Sequence, residues 1–102
     1  MSTFDFNKIE NTLNCHFQGR LGSDNAHELS KKIQDKMDEF KNKELKVNFN
    51  LKEVDYIASS FIRICLMSAK QLQEGYFSIS NTNSMIKKIF KIAELDEVLN
   101  VE

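Results

Sequence analysis

Residues 54–72 read Val54-Asp55-Tyr56-Ile57-Ala58-Ser59-Ser60-Phe61-Ile62-Arg63-Ile64-Cys65-Leu66-Met67-Ser68-Ala69-Lys70-Gln71-Leu72. A short apolar approach meets two serines and then becomes helical in period. Phe61, Ile62, Cys65, Leu66, Ala69 and Leu72 recur at steps of three and four, which predicts an amphipathic helix of about four turns with these residues as its apolar stripe. Ser59 and Ser60 fall at its start. There a serine hydroxyl can cap a backbone N–H group that has no intrahelical partner. The same unpaired N–H groups and the positive end of the helix dipole also favour an anion, a phosphate included.

Immediately upstream, Leu45, Val47, Phe49 and Leu51 alternate with Lys46, Asn48 and Asn50, the period of a strand with one apolar face, although Asn is a poor strand former. This strand runs through Val54 and Ile57 into the serines. Further back, Ala26, Leu29, Ile33, Met37 and Phe40 predict a helix over about 24–42, with Asn25 and Glu28 spaced like a capping box. Before it, Phe4, Phe6 and Ile9 and then Leu13, Cys15 and Phe17 predict two short strands, the second ending at the glycine-containing loop Gly19-Arg20-Leu21-Gly22. Downstream of the serine helix, Gly75 reads as a stop and Tyr76–Ser80 as a strand. Met85, Ile86, Ile89, Phe90 and Ala93 then restart the helical period. Strands separated by helices at this spacing place the chain in the α/β class, because neighbouring parallel strands need a crossover helix. Phe49, Ile62, Leu66, Leu29, Ile33 and Ile79 are expected in one core.

The 102 residues suit a single domain, 1–102. Apolar content of 41% with 28% charged residues fits a soluble globular chain, and a net charge of −1 argues against nucleic acid as a partner. No run approaches the ~20 apolar residues of a membrane span, and residues 1–11 lack the pattern of a signal peptide, so a cytoplasmic location is expected. In that compartment Cys15 and Cys65 are expected as free thiols.

The segment Ile57-Ala58-Ser59-Ser60-Phe61-Ile62, the upstream Gly19-Arg20-Leu21 and the order of elements around them resemble a STAS domain, the fold of bacterial anti-sigma factor antagonists; the resemblance spans nearly the whole chain. It implies a mixed sheet of four to five strands with helices packed mainly on one face, and brings the serine junction beside the loop from Gly19 to Asp24. It further implies a partner: an anti-sigma factor that is a serine kinase of the GHKL type, or a related regulatory protein. Ser60 matches the phosphoserine position of that family and Ser59 is its neighbour. The implied docking surface is Arg20, Gly22, Ser23, Asp24, Ser59, Ser60, Phe61 and Arg63. Three positions depart from the family pattern: Ala58 stands where Asp is usual, Phe61 where Gly is usual, and Gly22 where an acid closes the upstream turn. They leave open a second reading, a STAS scaffold or accessory subunit of a signalling or transport complex without phosphorylation.

No catalytic, metal or cofactor constellation is visible. Cys15 and His16 are neighbours on a strand and so point to opposite faces, which rules them out as a nucleophile–base pair. The loop at Gly19 lacks the pattern and the lysine of a phosphate-binding loop. Two histidines and two cysteines without ligand spacing do not make a zinc site. Lys31, Lys32 and Lys36 are interspersed with acids and read as a solvated face, while Lys87, Lys88 and Lys91 form a small basic face on the last helix.

Overall fold

A computed structural model describes residues 2–102. Two strands, β1 (Ser2–Asn7) and β2 (Thr12–Leu21), form an antiparallel hairpin. A 3-10 turn (Ser23–Asn25) leads into α1 (Ala26–Glu39), followed by β3 (Lys46–Ile57), α2 (Ser59–Lys70), β4 (Phe77–Ser80) and α3 (Ser84–Ile92). The sheet order is β1-β2-β3-β4, with β3 parallel to both β2 and β4. The expected mixed α/β sheet is thus observed with four strands, and α1 and α2 occupy its two parallel crossovers.

Strand alternation sorts the sheet into two chemistries. Leu13, Cys15, Phe17, Val47, Phe49, Leu51, Phe77 and Ile79 point to one face and are all buried in a core that also takes in Leu29, Ile33, Ile86, Phe90 and Leu99. Rings interlock there: Phe17 meets Phe49 edge to face at 5.1 Å, and Phe49 meets Phe77 at 4.9 Å. The opposite face carries Asn14, His16, Asn48, Asn50, Ser78 and Ser80. The asparagines that weaken β3 as a strand by composition find partners here. Asn48 Nδ2 donates to Ser78 Oγ at 2.8 Å, and Ser80 Oγ donates to Asn48 Oδ1 at 3.0 Å.

Beyond Leu51 the buried residues of β3 are spaced by three, at Val54 and Ile57. The pairing explains it. His16 faces Asn50 while Gln18 faces Glu53, and Gly19 faces Val54 while Arg20 faces Tyr56, so β3 carries two extra residues relative to β2. Each bulge shifts the alternation by one and returns an apolar side chain to the core. Gly19, at the second irregularity, has φ +79°, a conformation that disfavours any side chain.

Several local expectations need correction. Ile9 is not a strand residue but stands in the β1–β2 turn, 97% exposed. The helix expected from about residue 24 begins as the 3-10 turn, and Asn25 makes no side-chain cap; its backbone at φ −113°, ψ 7° belongs to that turn and not to an extended N-cap. On α2 the buried positions are Phe61, Ile64, Cys65 and Ser68. Ile62, Leu66, Ala69 and Leu72 are only partly buried against the core, so the stripe is rotated relative to the one expected. The last residues form a strap: Ile79 N–H donates to Asn100 O, Glu102 N–H donates to Ile79 O, and Val101 bridges to Ile79 in parallel.

Candidate functional site

Where β2 ends and α2 begins, two segments far apart in sequence are stitched together. Ala58 N–H donates to Leu21 O at 2.9 Å, fixing the start of α2 against the end of β2. On this frame the 3-10 turn comes alongside the serines, and Ser60 Oγ lies 3.5 Å from Ser23 Oγ. Ser59 is exposed and Ser60 half-buried. Neither caps the helix. The N-cap is Ala58, extended at φ −96°, ψ 166°, which has no side-chain acceptor to offer, and the first turn of α2 contains no acid. Its leading N–H groups therefore meet no capping side chain, an arrangement suited to an anion carried by a hydroxyl in the first turn.

The other expected residues divide. Arg63 is exposed one turn beyond Ser59 and on the same side of α2. Ser23 and Asp24 are exposed in the turn. Arg20 is exposed too, with its guanidinium 4.2 Å from the centre of the Tyr56 ring on the adjoining strand. Tyr56 carries no role in the sequence reading. The signal available was its place on β3 opposite Arg20, which depends on a register displaced by two bulges. Phe61 is the correction. Its side chain is 1% exposed and packs edge to face on Phe17 at 5.6 Å, so it supports the surface from below and is not available for docking.

Gly22 and Asp24 are related in a way the sequence alone does not show. A Cβ added at Gly22 would stand 2.9 Å from Asp24 Oδ1, so the Asp24 carboxylate occupies space that a side chain at position 22 would claim. An acid is thereby present at the turn although position 22 has none. In the core, burial pushes the Cys65 thiol well above its ordinary pKa, and burial followed by the nearby Asp5 charge does the same to Cys15. Both thiols are buried and free. Among the described residues no cluster of three or more His, Cys, Asp or Glu side chains is placed to hold a metal ion, and no helix is long and apolar enough to cross a membrane.

Over 88 residues the chain is 30% identical to BtrV of Bordetella bronchiseptica, named as an anti-sigma factor antagonist, with 84% of this chain and 73% of that protein covered. The chain belongs to the anti-sigma factor antagonist family. No family model matches it. Solved structures of other antagonists share the fold at low identity. An anti-sigma factor antagonist from Mycobacterium paratuberculosis aligns over 99% of this chain and 85% of its own, with a TM-score of 0.80 and 13% identity. SpoIIAA in its unphosphorylated form aligns over 90% and 83%, with a TM-score of 0.69 and 14% identity. The architecture is the STAS, SpoIIAA-like fold that the resemblance implied.

Proposed function

We propose that this antagonist docks a partner anti-sigma factor, itself a serine kinase of the GHKL type, through the surface made by Gly22, Ser23, Asp24, Ser59, Ser60 and Arg63, with Arg20 at its margin. Ser60 is the phosphoacceptor, ahead of Ser59. The observation that carries this reading is the 3.5 Å approach of Ser60 Oγ to Ser23 Oγ at an uncapped helix start. A phosphate on Ser60 would add up to about two negative charges. The free N–H groups of α2 tolerate that charge, while an acidic or closely fitted partner surface would not, so modification switches docking off.

Incubation with ATP and a serine kinase of the GHKL type from the same organism, followed by intact-mass and peptide analysis, tests the assignment. Phosphate is expected on the native chain and on Ser59→Ala, and not on Ser60→Ala. Phosphate that survives Ser60→Ala and vanishes in Ser59→Ala reverses the order of the two serines. Arg63→Glu is expected to weaken the partner in a direct titration while leaving the unfolding midpoint nearly unchanged, and unchanged affinity moves the interface elsewhere. A second reading, an unregulated STAS scaffold, is favoured by Ala58, which brings no carboxylate to the helix start. A partner that binds and is active as a kinase on other substrates, yet transfers no phosphate here, selects it.

A further inference from the structure

Helix α3 turns to solvent a face that the described fold does not use. Ile86 and Phe90 point into the core and Ile89 is half-buried, but Met85 and Ile92 are 64% and 74% exposed. At ~100° per residue, Met85, Ile89 and Ile92 line up as one apolar strip along the helix, flanked on one side by Lys88 and then Lys91, while Lys87 points almost opposite Met85. The contrast with α1 is informative. There Lys32 pairs with Glu28 and Lys36 with Glu39, as a solvated face does. Among the described residues, none of the three α3 lysines enters an ion pair.

We infer that this face docks an acidic amphipathic helix of a partner protein, at a site separate from the serine surface. The apolar strip advances by four and three residues, the spacing at which one helix receives the ridge of another. The unpaired lysines alongside it call for carboxylates on the flank of that helix, an arrangement that speeds encounter and sets orientation. An extended anionic surface fits less well. Glu94, Asp96 and Glu97 follow α3 directly, so a lipid bilayer or a nucleic-acid backbone laid on the lysines would also meet these acids, and the whole chain is net negative. The face offers no aromatic ring on which a base would stack. A helix about 10 Å wide can lie on the apolar strip and its Lys88 and Lys91 flank alone.

The probe is a blocked synthetic peptide of about fifteen residues, long enough to populate helix, with leucines at helical spacing on one side and glutamates flanking them. It is titrated into the isotope-labelled 102-residue chain. Amide shifts are expected to centre on Met85, Lys88 and Ile92, and affinity is expected to fall as salt rises. The double variant Lys88→Glu, Lys91→Glu should bind about tenfold more weakly or worse, with amide positions outside α3 retained. Met85→Ser with Ile92→Ser should weaken binding without changing its salt dependence. Shifts confined to other elements, or equal affinity for the lysine variant, overturn the proposal. So does binding to phosphatidylserine vesicles by a chain that ignores the peptide.

Discussion

The Phe61 ring stands edge-on to that of Phe17, centroids 5.6 Å apart, and the residue before it, Ser60, brings its Oγ to 3.5 Å from Ser23 Oγ. The family's usual glycine at this position would leave unfilled the space where the ring packs against both Phe17 and Phe49. Phe61→Ala is expected to cost about 3–5 kcal/mol in urea unfolding. Phe61→Gly should cost about 1 kcal/mol more, because glycine also weakens the helix. A loss below about 1 kcal/mol for Phe61→Ala would mean that the ring is not part of the core.

Ile64 and Leu66 separate the observed face of α2 from the expected one. Every position from Phe61 to Ala69 other than Arg63 and Ser68 is apolar, so a period count over residue types cannot say which side faces the sheet. Ser68 held the clue in reverse: a small side chain, 3% exposed, sits where the helix is buried. Ile64→Ala should therefore cost about 2–5 kcal/mol and Leu66→Ala roughly half as much. Equal losses in chemical denaturation would restore the stripe read from periodicity.

Asp24 is expected to act for the acid that position 22 lacks, since its carboxylate reaches into the space above Gly22. Asp24→Ala should weaken the partner several-fold, and Gly22→Asp should recover affinity in the Asp24→Ala background while doing harm in the native one, where two carboxylates would compete for one place. Additive effects in that cycle, measured by calorimetric titration, would show the two positions to be independent. The sequence showed both halves of this site but not their contact. Alternation and helical period located the loop and the serines, whereas their juxtaposition depends on the Ala58–Leu21 hydrogen bond and on two bulges that swing the end of β3. The Leu51, Val54, Ile57 spacing was the visible trace of those bulges.

Glu94 ends α3 in the left-handed region at φ 60°. Leu95 N–H donates to Phe90 O at 2.9 Å and Glu94 N–H to Lys91 O at 3.0 Å, the paired bonds of a Schellman cap, in which glycine is the favoured residue. Glu94→Gly is expected to raise stability by about 0.5–1 kcal/mol, seen as a higher midpoint with an unchanged denaturant slope. A lower midpoint would show that the glutamate side chain contributes more than its backbone strain costs.

Cys15 and Cys65 are held neutral by burial in the folded chain but ionise freely when it unfolds. With folded-state pKa values raised, the folded state keeps its protons where the unfolded state loses them. Their contribution is thus intact below about pH 8.5 and declines above it, by about 1.4 kcal/mol per pH unit for each thiol. Denaturation midpoints measured from pH 7 to pH 10 should fall on the alkaline side, and less so for Cys15→Ala with Cys65→Ala compared at each pH with its own value at pH 7. A flat native profile would mean that the thiols are accessible to water.

The strap at residues 100–102 occupies β4's outer margin: Asn100 Nδ2 donates to Phe77 O at 2.8 Å, and Ile79 uses both its N–H and its C=O on the strap. A strand so occupied offers little to a neighbouring molecule, which among the described residues leaves β1 as the sheet's available margin. Stacking of sheets into a growing fibre needs two such margins on every subunit. With one, association through the sheet terminates at a pair.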